Sequence, residues 1–139
     1  RPGKVLRAGR ISFDEMLESC DVISLHCPLT AETRHIIDGS ALRRMRKDAF
    51  LINTARGGLV DERALVTALR DGWIAGAAFD VLGNEPPPAD HPLLNAKLNN
   101  LIITPHNAWA SRQARQRVID QTTENIAAWL EGRELRRVV

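Results

Sequence analysis

The sequence is short of cysteine, of net charge and of long apolar runs. Its two cysteines, Cys20 and Cys27, cannot build a disulfide scaffold and lack the spacing of a zinc site. A reducing, cytoplasmic setting is the simplest expectation, and no metal site is expected. Lys and Arg number 19 against 17 acids, a net charge of +2. A balance this small, with both signs interspersed, does not advertise a nucleic-acid surface. No apolar run approaches the roughly 20 residues that span a bilayer. There is no initiator Met, and Arg1-Pro2-Gly3-Lys4 is not followed by an apolar signal core. The abrupt start suggests a piece of something longer. What is present is ordinary: 139 residues, 44% hydrophobic and 26% charged, enough for one domain with its own core.

Short apolar runs alternate with helical patterns. Residues 1–11 read as a loop or short extended piece, with a weak strand signal at Lys4-Val5-Leu6. Ser12 and Glu15 have capping-box spacing before a short helix to about Ser19. Asp21 to Cys27 and Ala49 to Thr54 are nearly continuous apolar runs, which predicts strands buried on both faces. Between them, Gly39 to Lys47 reads as a short helix. Asp61 can cap a helix with the stripe Ala64, Leu65, Ala68 and Leu69, stopped by Gly72. Ala75 to Val81 is a third strand, rich in small residues that permit close approach of a backbone or ligand. Residues 83–100 hold Pro86-Pro87-Pro88 and read as a long loop, with Gly83-Asn84 as a loosening element. Leu101 to Thr104 is a fourth strand. Ser111 caps the longest helix, residues 111–132, whose stripe is Ala114, Val118, Thr122, Ile126 and Trp129/Leu130. Cys20 is expected to be buried as a small apolar residue.

Strands alternating with helices predict an α/β fold: a parallel sheet with helices on its faces and right-handed crossovers. Ligands of such sheets bind beyond the carboxyl ends of the strands. Those ends carry His26-Cys27-Pro28, then Asn53-Thr54-Ala55-Arg56-Gly57-Gly58, then Asp80 and Glu85, then Thr104-Pro105-His106. An arginine, a carboxylate and a histidine thus come to one edge. Gly57-Gly58 suits a plain turn or a close backbone approach to a substrate. Trp109 suits either a pocket wall or helix packing.

Four ordered motifs within residues 21–131 carry a resemblance: HCPLT at 26–30, NTARGGLVDE at 53–62, GAAFDV with the following EP at 76–86, and TPHNAWAS at 104–111. In these the chain resembles the D-isomer-specific 2-hydroxyacid dehydrogenases, and in PPPADHPLL at 86–94 and the AWAS after His106 it most resembles the glycerate dehydrogenase (hydroxypyruvate reductase) branch. The resemblance implies the second half of a Rossmann-type, doubly wound NAD-binding domain over residues 1–139. It matches Arg56, Glu85 and His106 to the family's catalytic Arg, Glu and His. It matches Cys27, Pro28, Thr54, Ala55, Arg56, Asp80, His106 and Ala108 to positions around the nicotinamide, with Asp80 as the carboxylate at its amide. It implies NAD as cofactor, with NADP left open, a small 2-keto or 2-hydroxy acid as substrate, and a homodimer. Asn107 departs from the apolar residue usual there. His26, His35 and His91 acquire no role.

The residue types fit the implied chemistry. An arginine can hold a substrate carboxylate through two parallel N–H bonds. A histidine titrates in the range needed to move the hydroxyl proton, and a paired glutamate favours its charged form. No G-x-G-x-x-G occurs in the sequence, although a pyrophosphate needs that turn at a helix N-terminus. The expectation is therefore an enzyme fragment, inactive alone, with the phosphate-binding half upstream. The alternative is a nucleotide-sensing co-repressor module, which resembles the same family and shares the Arg, Glu and His.

Overall fold

A computed structural model describes residues 10–137. The extended piece expected at Lys4-Val5-Leu6 lies outside them. Two compact units follow one another: His106 closes the first and Asn107 opens the second.

The first unit is built on four parallel strands, β1 (Val22–Leu25), β2 (Phe50–Asn53), β3 (Gly76–Phe79) and β4 (Leu101–Ile103), in spatial order β1-β2-β3-β4. The register runs Ile23 beside Leu51 beside Ala77 beside Leu101. Parallel strands need crossovers. These contain α2 (Gly39–Arg44), α3 (Glu62–Arg70) and α4 (Pro92–Asn95), and α1 (Phe13–Ser19) precedes β1. The helices touch in chain order, α1 to α2 to α3 to α4, and form one layer. Ile23, Leu25, Leu51, Ala77 and Phe79 from the sheet meet Leu17, Leu42, Leu65 and Leu69 from that layer in a single core.

The expectation that the strands are buried on both faces is corrected. In β1 exposed and buried residues alternate. Val22, Phe50 and Ile102 are each at least half exposed. Side chains along a strand point to opposite faces, so in this unit the helices cover one face only. A short apolar run is compatible with either arrangement. Cys20 is also corrected: it is partly exposed at the edge of the core, and both cysteines are free thiols.

The helix caps follow the sequence. Ser12 Oγ accepts from the Glu15 N–H at 3.1 Å. Asp61 Oδ1 accepts from the N–H groups of Arg63 and Ala64, both at 3.0 Å. Gly72, with φ +69°, takes the left-handed conformation that stops α3. The loop expected over residues 83–100 contains α4, entered by Pro92 at its first turn, with Leu93 buried. Proline is favourable there because its missing N–H has no helical partner to lose.

The second unit consists mainly of α5 (Arg112–Leu130), capped by Ser111 Oγ on the Ala114 N–H and followed by Gly132 at φ +68°. Of the residues of α5, Ala128 is buried, whereas Val118, Ile126, Trp129 and Leu130 of the expected stripe are exposed. No helix among the described residues is long and apolar enough to cross a membrane.

Removing the α3 cap is expected to cost about 1 kcal/mol, because two N–H groups lose their acceptor. Urea unfolding of Asp61→Ala against the unsubstituted chain measures it, and an unchanged midpoint would contradict the cap.

Candidate active site

The turns that leave the carboxyl ends of β1 to β4 carry the chemistry. Asn53 ends β2, fully buried. Its side chain donates to the Arg56 carbonyl at 2.9 Å and accepts from the Ala55 N–H at 3.1 Å. Both ends of the amide are thereby satisfied, and the turn that presents Arg56 is fixed from inside. The Arg56 side chain reaches outward, with Nη1 donating to the Ala55 carbonyl at 2.6 Å. An open cleft of 750 Å³ is lined there by His26, Cys27, Pro28, Leu29, Thr54, Ala55 and Arg56. Five of the expected cofactor positions therefore share one wall.

Gly57 opens a 3₁₀ turn, Gly57–Leu59. A Cβ on it would lie 2.0 Å from the Leu82 carbonyl carbon and 2.2 Å from the Gly83 nitrogen. The space a side chain would need is taken by the backbone after β3. Gly57 thus serves a close backbone approach within the protein.

After β3, Asp80 is buried, and its Oδ1 accepts from Thr104 Oγ1. Its backbone N–H donates to the Asn53 carbonyl at 3.0 Å, which continues the β2–β3 ladder. The next residues form a tight turn. The Leu82 N–H donates to Glu85 Oε1 at 2.7 Å. Glu85 Oε2 lies 2.7 Å from His106 Nδ1. The Gly83 N–H donates to Glu62 Oε1 at 2.7 Å. Gly83 is therefore pinned, contrary to its expected loosening effect.

After β4, the His106 N–H donates to the Thr104 carbonyl at 3.0 Å, closing a turn around Pro105. His106 has φ +50°. Few residues other than glycine occupy that region, and those that do cluster at functional sites. Glu85 and His106 line a second cleft of 430 Å³, otherwise walled by Leu82, Pro86, Pro87, Leu94, Ile103, Thr104 and Pro105. Both side chains reach water, with 36% and 46% of their surface exposed.

Opposing effects act on Glu85. Partial burial pushes its carboxyl up, as does nearby Asp80. The Leu82 N–H, the hydrogen bond to His106 and the histidine's charge outweigh both and hold it below the usual glutamate range. Glu85 is then an ionised, acceptor-only group at neutral pH, so the proton in its bond to His106 sits on Nδ1.

Of the expected site residues, Cys27, Pro28, Thr54, Ala55 and Arg56 come together in the first cleft, and Glu85 and His106 in the second. Asp80 lies beneath them at the sheet edge. Ala108 and Trp109 fall in the second unit. Among the described residues no cluster of three or more His, Cys, Asp or Glu is placed to hold a metal ion. Asn53, Glu62 and His91 organise the site without a sequence expectation to that effect. Asn53 carried one usable cue: an asparagine at a strand end can satisfy the backbone of the turn after it.

This geometry has close relatives. Residues 3–108 match the family model described as D-isomer specific 2-hydroxyacid dehydrogenase, NAD binding domain. The chain belongs to that family. The glycerate dehydrogenase of Methylorubrum extorquens is 50% identical over 125 residues, covering 90% of this chain and 40% of that protein. The glyoxylate reductase of Thermofilum pendens is 51% identical over 120 residues, 86% of this chain and 35% of that one. In the solved structures, the NAD-complexed D-isomer specific 2-hydroxyacid dehydrogenase from Lactobacillus delbrueckii ssp. bulgaricus superposes with a TM-score of 0.83 at 36% identity, covering 93% of this chain and 43% of that one. The chain thus spans less than half the length of these 2-hydroxyacid dehydrogenases. Its parallel sheet and helices are those of a Rossmann-type NAD-binding domain. The co-repressor alternative gains no support from the dehydrogenases and reductases named here.

Because the folded Glu85 pKa lies below its unfolded value, its ionisation stabilises the fold. That contribution is complete above the unfolded glutamate pKa of about 4.3 and is lost as pH falls through the lower folded value. Urea unfolding of wild type and Glu85→Gln across the acid range is expected to show the stability gap closing as pH falls; a gap independent of pH would contradict the assignment.

Proposed function

We propose that this sequence carries the acid–base and nicotinamide-side groups of an NAD-dependent dehydrogenase acting on a small D-2-hydroxy acid or its 2-keto acid, with glycerate and hydroxypyruvate as the favoured pair. The observation that carries this is the Glu85–His106 contact at the sheet edge, tied through Gly57 to the turn of Arg56. The names of the relatives, among them a glycerate dehydrogenase and a hydroxypyruvate reductase, support the substrate class.

Arg56 binds the substrate carboxylate. Its guanidinium forms no carboxylate ion pair among the described residues, and its two-pronged donor geometry matches a carboxylate as a lysine would not. His106 moves the proton on the C2 oxygen. Its Nδ1–H is held by Glu85, and Nε2 is the atom proposed to give a proton in reduction and take one in oxidation. Glu85 fixes the ring's orientation and tautomer. The open first cleft fits a flat apolar ring beside backbone groups, so Cys27, Pro28, Thr54 and Ala55 would hold the nicotinamide. Asp80, already an acceptor for Thr104, stands at the same edge with a carboxylate for the ring's amide. Ala108 is proposed as a further cofactor contact. When bound, NAD supplies the hydride chemistry itself.

On this proposal residues 1–139 form the catalytic half of a cofactor domain, residues 111–132 are its closing helix, and the enzyme is a homodimer. The family match over residues 3–108 supports the cofactor-domain reading.

In an enzyme carrying this sequence, His106→Gln is expected to lower kcat for hydroxypyruvate with NADH by about 10²–10⁴-fold. Arg56→Lys is expected to act mainly by raising KM. Steady-state kinetics measure both, and an unchanged kcat in His106→Gln would overturn the proton-transfer role.

A further inference from the structure

A second carboxylate–histidine pair lies behind the Leu82–Glu85 turn. Glu62, in the first turn of α3, accepts from the Gly83 N–H with Oε1. Its Oε2 lies 3.1 Å from Nε2 of His91, with the two side chains only 15% and 3% exposed. The approach is off the line of a hydrogen bond, since neither ring nitrogen of His91 makes one. His91 is also the residue from which α4 starts. Glu62 therefore joins α3 to the turn and, through His91, to the head of α4.

We infer that Glu62 is a positioning residue for the Glu85–His106 pair, an inference that rests on the function proposed above. The two adjacent N–H groups of the turn go to two different carboxylates. Leu82 donates to Glu85 and Gly83 donates to Glu62. Gly57 seats the same peptide from a third direction, since no side chain separates it from Leu82 and Gly83. Held this way, Leu82 offers its N–H where Glu85 Oε1 can accept it, and Glu85 Oε2 faces His106. A Cβ on Gly83 would lie 3.2 Å from Glu62 Oε2, so glycine lets the carboxylate close in. A half-buried carboxylate deprived of its donor is costly, and the charge-assisted bond strengthens the hold.

The simpler account of Glu62 is a helix-dipole acid in the first turn of α3. That explains an acid at this position. It does not explain a side chain directed at an amide 21 residues away.

The test is NMR on the 139-residue chain, with Glu62→Met, which keeps the bulk but cannot accept, Glu62→Gln, which keeps an acceptor, and Gly72→Ala, which strains the far end of α3 and leaves its first turn alone. In wild type and Glu62→Gln, the His106 Nδ1–H resonance is expected downfield. In Glu62→Met that resonance is lost, and the Gly83 N–H exchanges about tenfold faster or more. Gly72→Ala keeps both signals. A folded Glu62→Met chain with an unchanged His106 resonance overturns the inference, and so does its loss in Gly72→Ala. Should Glu62→Met not fold, the native chain decides: a Gly83 N–H that exchanges as fast as an unstructured amide overturns it, and a protected one that stays protected in Glu62→Gln supports it. Neither signal depends on turnover. A failure of the proposed dehydrogenase activity therefore leaves this result to be read separately.

Discussion

The site depends on the closeness of two backbones. Gly57 and the Leu82–Gly83 peptide approach so tightly that a single added Cβ would lie 2.0 Å from a carbonyl carbon. β2 and β3 are neighbours in register, and both end at the same edge of the sheet. Their turns must either splay apart or interlock, and glycine at position 57 permits the second. Arg56 sits one residue before that contact, and Glu85 sits two residues beyond it. A cation and a carboxylate that faces a histidine are thereby tied to a common seam before any side chain contributes.

Two carboxylate–histidine pairs flank this seam. Glu85 and His106 are partly exposed and open onto a cleft. A proton on that histidine can be exchanged with water or passed to a ligand. Glu62 and His91 are less exposed and line a separate cleft with Arg34, Asp61 and Gly83. The same two residue types thus meet on both sides of one turn, at different exposures.

Much of the architecture is legible in the residues. Local rules suffice for the caps at Ser12, Asp61 and Ser111, for the stop at Gly72 and for the four strands, because each rests on neighbours within a turn or a run. The strand-end rule brings Arg56, Glu85 and His106 to one edge, and the Glu85–His106 contact follows it. What escapes is what depends on distant neighbours. Apolar runs such as Asp21 to Cys27 do not reveal that the described helices of the first unit pack on one face of the sheet and leave Val22 and Phe50 exposed on the other. Gly83 reads as a flexible link until Glu62 is seen to hold its amide. His91 sits in a proline-rich stretch that looks like plain loop, yet it is buried at the head of α4.

The Leu82–Glu85 turn is gripped on three sides, and this bears on how such a site can diverge. A residue placed there must suit Gly57, Glu62 and His106 at once, so the segment has little freedom to drift. The other walls of the second cleft, Pro86, Pro87 and Leu94, follow the clamp and are not part of it. Changes in what the site admits are cheapest in those walls, where shape can be altered while the acid–base pair keeps its place.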